Sequence, residues 1–143
     1  MVMMDSEMER VFQAATLADL SRIRQFVRET AVSHGCDREA LDEFIVATNE
    51  AIANIMRHGY QNNPGDITVK INCRRGTVLV VLYDNCASFD PTTVSCPDMT
   101  LPLAERPFGG MGIHIMREIC DELSYRRTET NENELTLLKR VKQ

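Results

Sequence analysis

The sequence predicts an α/β two-layer sandwich: a mainly antiparallel mixed sheet covered on one face by three helices. Three features carry that expectation. Apolar residues recur at helical spacing in three separate segments. Short segments that alternate or run apolar are bounded by turn residues and fall into adjacent pairs. The elements follow in the order strand, two helices, two strands, a long irregular segment, a helix and two strands, which suits hairpins packed against helices in two layers.

Residues 8–14 read as a short first strand. Thr16 then offers a hydroxyl cap with Asp19 three residues on, the pattern of a capping box. Leu20, Ile23, Phe26, Val27 and Ala31 follow at helical spacing, and this helix stops near Gly35. Asp37 caps a second helix whose apolar stripe is Leu41, Phe44, Ile45, Thr48, Ile52, Ile55 and Met56. Gly59 ends it, and Asn62-Asn63-Pro64-Gly65 turns the chain. Residues 66–73 (DITVKINC) alternate as a half-buried strand, and residues 77–84 (TVLVVLYD), more continuously apolar, read as a central strand joined to it through Arg74-Arg75-Gly76. Residues 85–108 hold Pro91, Pro97, Pro102 and Pro107 without periodicity, the mark of a lid or of disorder. Ile113, Ile115, Met116, Ile119, Cys120 and Leu123 mark a helix launched from glycines, and residues 123–128 and 134–141 form a last hairpin around the polar turn Glu129–Asn133.

The 143 residues suit one domain spanning 1–143, without repeat or linker. A net charge of −5 argues against nucleic acid or an anionic membrane as the main partner. No apolar run approaches the ~18 residues that span a bilayer. MVMMDSEMER shows neither a basic nor an apolar export signal, so the expected location is the cytoplasm. Cys36, Cys73, Cys86, Cys96 and Cys120 are odd in number and contain no C-x-x-C pair, which fits reduced thiols better than zinc or a redox dithiol.

The stretch ATNEAIANIMRHGY (47–60) places Glu50, Asn54 and His58 at i, i+4 and i+8. Steps of four drift by only ~40° each, so the three share one stripe beside the apolar face. A carboxylate and an amide so placed suit Mg²⁺, a hard cation that takes oxygen ligands and few protein groups. A solvated polar face is the plainer alternative. GGMG (109–112) stands immediately before a helix, where glycines let the backbone approach an anion and unpaired N–H groups face it. A loop end is the alternative there. Asp84 closes the central strand, where a carboxylate can accept from the exocyclic amine of adenine or simply form a turn.

In this order the segments NEAIANIMRHGY, DNCASFDP and FGGMGIHIMREICDEL resemble the motifs of the bacterial anti-sigma factor serine/threonine kinases, within the ATPase superfamily that includes gyrase and the histidine kinases. The resemblance covers about residues 8–141 and implies the histidine-kinase-like ATPase fold. By the same resemblance Glu50 matches the general base, Asn54 the Mg²⁺ ligand and Asp84 the adenine-reading aspartate. Gly109, Gly110 and Gly112 match the phosphate-cradling turn, and Arg106, just before it, matches a contact to the terminal phosphate. His58 is packing or support rather than catalysis. The family usually has glycine two residues after the adenine-reading Asp. Here Cys86 stands there, so a β-carbon must crowd the base or the backbone must change.

The resemblance further implies ATP and Mg²⁺ as cofactors and phosphorylation of a small anti-sigma factor antagonist. It implies sequestration of a sigma factor, and homodimerisation. The rival expectation is a non-catalytic clamp for a sigma factor or other regulator, favoured by Cys86, whereas Glu50 with Asn54 favours the enzyme.

Overall fold

The computed structural model describes residues 6–74, 76–93 and 110–141. Its elements are β1 (Ser6–Ala15), α1 (Leu20–Ser33), α2 (Arg38–Asn54), β2 (Gly65–Arg74), β3 (Thr77–Asp84), α3 (Gly110–Ile119), β4 (Glu122–Arg127) and β5 (Asn133–Arg140). The five strands form one sheet in the order β1-β2-β3-β5-β4. Each neighbouring pair is antiparallel: β2–β3 and β4–β5 are hairpins, whereas β1 reaches β2 through α1 and α2, and β3 reaches β5 through α3 and β4. β3 takes the middle of the sheet, the place its apolar run implied.

One face of this sheet is the core. Ile67, Val69 and Ile71 of β2, Val78, Val80 and Leu82 of β3, and Leu135 and Leu137 of β5 alternate with less buried residues and turn inward. Against them pack Ile23, Val27 and Ala31 of α1 and Leu41, Phe44, Ile45 and Ile52 of α2. Each such fully buried aliphatic or Phe side chain stabilises by about 1.5–3 kcal/mol. The helices therefore lie where their 3.6-residue stripes meet the sheet's two-residue alternation.

The register of this face positions everything that follows. Asp84 takes the next inward place after Val78, Val80 and Leu82, and Asn133 takes the place before Leu135 and Leu137. Asp84 pairs with Asn133 across the β3–β5 ladder and with Ile67 across the β2–β3 ladder. An otherwise apolar face thus ends, at one edge, in a buried carboxylate and a buried amide.

Local signals were kept with shifts. Thr16 and Asp19 do make a capping box, but it closes a single 3-10 turn, Leu17–Asp19, ahead of α1. Asp37 caps α2 by accepting from the Ala40 N–H. Gly35, with φ +98°, turns the chain between the two helices in a conformation L side chains rarely adopt. β1 is longer than residues 8–14. It carries an irregularity between Phe12 and Ala15, where Ala14 takes φ 49° and donates its N–H to Asp66 Oδ1 at 2.8 Å.

Two expectations need correction. The helical stripe assigned through Cys120 and Leu123 ends at Ile119, because Leu123 belongs to β4, opposite Leu137. The helical pattern there simply overlaps the first inward residue of a strand. α2 also does not run regularly to Gly59, since residues Ile55–Gly59 form a π-turn in which the Tyr60 N–H reaches back to the Ile55 carbonyl at 2.9 Å. Of the expected lid, residues 85–93 are described and include a short turn of helix at Pro91–Thr93. Its remainder, with Arg106, lies outside the described residues, as does Gly109.

Candidate active site at the end of the sheet

The buried end of β3 faces a cavity of about 210 Å³. Its walls come from α2 and the π-turn (Ala51, Asn54, Ile55, His58), from the chain after β3 (Asp84, Cys86, Phe89) and from β4 and β5 (Tyr125, Asn133, Leu135). A second, smaller cavity of about 40 Å³ is bordered by Glu50, Asn54, Arg57, His58 and Gly112. Asn54 and His58 line both, so the two spaces adjoin along one stripe of α2 and its π-turn.

The structure therefore brings Glu50, Asn54, Gly112 and, through the shared wall, Asp84 to one elongated site. Glu50 and α3 meet closely: a β-carbon added at Gly112 would stand 2.9 Å from Glu50 Oε2. Glycine is what lets the first turn of α3 lie against that carboxylate. Gly110 is the first residue of the ten-residue α3, whose unpaired N–H groups suit an anion. His58, expected to be packing or support, stands in the shared wall. Burial first, and the neighbouring Arg57 second, lower its pKa, so the neutral imidazole is favoured there.

Asp84 is only 5% exposed, so its carboxylate requires partners. Its Oδ1 accepts the Cys86 N–H at 2.9 Å and the Asn133 Nδ2 amide at 2.9 Å. Tyr60 buttresses the same turn from the other side. Its hydroxyl donates to the Asp66 carbonyl at 2.6 Å and accepts the Asn85 N–H at 3.1 Å. Burial is the main reason the Tyr60 hydroxyl is pushed up to about 12.

Cys86 resolves the departure from the family pattern. It is not among the residues with positive φ, so the backbone here needs no glycine. Its thiol packs over Gly59 instead, where an added β-carbon would lie 2.5 Å from Sγ. The bulk gained at position 86 is thus taken up at a glycine of the π-turn. Burial, and then the Asp84 charge, push the thiol up to about 12, so it stays protonated.

Asn133, Tyr125 and Arg127, all in the last hairpin, were not anticipated from the sequence. The available signal was Asn133 itself, a polar residue at an inward register position in a strand that otherwise turns Leu135 and Leu137 inward.

The chain belongs to the histidine kinase-like ATPase domain family, whose model matches residues 13–139. Among proteins it resembles, it is 23% identical over 111 residues to the serine-protein kinase RsbW of Bacillus mycoides, a match covering 75% of this chain and 69% of that one. It is 32% identical over 93 residues to the serine/threonine-protein kinase BtrW of Bordetella bronchiseptica, covering 64% of this chain and 65% of the relative. The structure of the RsbU and RsbW domains of Rv1364c from Mycobacterium tuberculosis superposes with a TM-score of 0.62 at 17% identity, over 95% of this chain and 32% of that one. That likeness shows the fold. The resemblance read from the three motifs holds, and the expected enzyme class, a serine/threonine-protein kinase, is the class of these relatives. Among the described residues no helix is long and apolar enough to cross a membrane, and none group as three or more His, Cys, Asp or Glu suited to a metal.

Proposed function

We propose that this protein is a cytoplasmic, single-domain anti-sigma factor kinase. In this reading it binds Mg-ATP, phosphorylates a serine or threonine of a small antagonist protein, sequesters a sigma factor, and works as a homodimer. One observation carries the reading: Glu50, Asn54 and Gly112 of α3 border a small cavity that shares Asn54 and His58 with the larger cavity lined by the buried carboxylate of Asp84. Asp84 would accept the exocyclic amine of the base. The N–H groups at Gly110 and Gly112 would face the phosphates, and Gly109 and Arg106 are proposed for the same end.

Glu50 would take the proton of the acceptor hydroxyl as its oxygen forms the new bond to the γ-phosphorus and the β–γ bridging oxygen leaves with ADP. Such general-base help is worth on the order of 10²–10⁴-fold, and the rest of phosphoryl transfer is positioning and charge neutralisation. The donor set fits Mg²⁺: an amide oxygen on Asn54 stands beside a carboxylate and a glycine-opened helix start, and few protein ligands suffice for that ion. When bound it supplies neutralisation of phosphate charge, and Asn54 would hold it.

The experiment is incubation with labelled ATP, Mg²⁺ and a candidate antagonist. Label transfer that vanishes in Glu50→Gln while ADP affinity persists is the expected result. ADP binding with no transfer to any candidate antagonist points to the second reading, a non-catalytic clamp for a sigma factor or other regulator.

A further inference from the structure

We infer that Asn133 is a positioning residue for Asp84, setting which carboxylate oxygen is offered to the nucleotide base. The inference rests on the nucleotide-binding reading above and adds to it a residue of the last hairpin. Asn133 is 5% exposed and uses its amide completely. Nδ2 donates to Asp84 Oδ1 at 2.9 Å and to the Ala87 carbonyl at 3.0 Å, with the Cys86 carbonyl at 3.4 Å. Oδ1 accepts from the Tyr125 hydroxyl at 2.6 Å and from Arg127 Nη1 at 3.1 Å. Arg127 Nη1 also donates to the Cys86 carbonyl at 2.7 Å, and the Tyr125 hydroxyl meets Ser88 Oγ at 3.0 Å.

Only one orientation of the amide satisfies these groups. Reversed, its oxygen would face a carboxylate and two carbonyls, and its NH₂ would face a guanidinium. Tyr125 and Arg127 therefore lock the amide, and the amide locks the carboxylate. With Oδ1 taken by the Cys86 N–H and by Nδ2, Oδ2 is the oxygen left for a donor entering the cavity. The same amide ties down the carbonyls of residues 86 and 87, which form the adjoining wall. β4 and β5 thus act on base recognition without Asn133 itself having to contact the base.

The test uses ADP and, as a ligand without a base, inorganic tripolyphosphate. In Asn133→Asp the donor becomes a second carboxyl beside Asp84, and the pair retains a proton to higher pH. ADP affinity is expected to fall about 10- to 100-fold near neutral pH, the worth of a hydrogen bond to a charged group. It should recover as pH is lowered and the pair takes up a proton, while the whole chain's ADP profile stays comparatively flat. Tyr125→Phe, which removes one hydroxyl from a half-buried edge-strand residue, releases the amide and should weaken ADP about two- to tenfold. Tripolyphosphate affinity should be unchanged in both. Folded variants that bind ADP like the parent, with the parent's pH profile, overturn the inference. So does an equal loss for ADP and tripolyphosphate, which would mean general loosening. A parent protein that binds tripolyphosphate but not ADP overturns the adenine-nucleotide reading itself.

Discussion

The two ends of the proposed nucleotide site are built differently. The base end is made of strand termini and buried polar groups: Asp84, Asn133, Tyr60 and the backbone of residues 85–87 hold one another through hydrogen bonds that cross between elements. The catalytic end is made of helix faces. Glu50 and Asn54 are half-buried residues of α2, brought to the glycine start of α3 by helix–helix packing. The base end is therefore over-determined, with several partners for each group. The other depends on how closely two helices approach, and a single missing β-carbon decides that approach. Changes at the base end should register in stability and affinity together, whereas changes at the catalytic end should register in turnover with folding nearly untouched.

The largest expected effect, after loss of the Glu50 carboxylate itself, is Gly112→Ala. The new β-carbon would stand 2.9 Å from Glu50 Oε2, so the carboxylate must swing aside. Turnover should drop by roughly tenfold or more, since small misplacements of reacting groups are costly. Stability should hold or rise by up to about 1 kcal/mol, because alanine favours the helix. Measuring the phosphotransfer rate and the thermal midpoint on the same sample checks the split. A parallel fall in both would erase the contrast between the two ends.

At the base end, Gly59→Ala should destabilise by about 1–3 kcal/mol, because its β-carbon meets the buried Cys86 thiol. The sign should reverse once Cys86→Gly is introduced first. Gly59 does not have a positive φ, so alanine is then expected to stabilise by about 0.4–1 kcal/mol through the unfolded chain. A denaturation double-mutant cycle reads this directly, and additive effects would show that the thiol and the glycine are not coupled.

The effect least tied to either end is a pH dependence. Burial chiefly pushes the Cys73 and Cys86 thiols from 9.0 up to about 12, and the Tyr60 hydroxyl from 10.0 to about 12. The folded chain keeps protons that the unfolded chain releases, so this stability is whole below pH 9 and declines as pH rises towards 12. Urea midpoints should fall between about pH 9 and about pH 10.5, and Cys86→Ala should remove part of that fall.

Much of the fold was legible because it rests on periodicity. The helical stripes from Leu20 and Leu41, the alternation of residues 66–73 and the Gly35 stop all stand close to where the pattern placed them, while Gly59 closes the π-turn that follows α2 rather than α2 itself. The overlap at Leu123 failed because a short helix and an ensuing strand share one apolar residue in the pattern, and only pairing with Leu137 settles which owns it. Of the site, Glu50 and Asn54 were legible together because one helix turn connects them. Asn133 and Tyr125 were not, since Asn133 meets Asp84 49 residues away and Tyr125 meets Ser88 37 residues away, and no local period links them.

The sequence by itself determined which residues face inward, where helices start and stop, and which family motifs the chain carries, because these follow from local spacing, caps and turn chemistry. Only the tertiary structure decided that the inward places at the end of β3 and the start of β5 face each other, that the Cys86 thiol lodges over Gly59, and that Gly112 abuts Glu50. Those are meetings between distant segments, and strand register and helix packing, not local preference, set their distances.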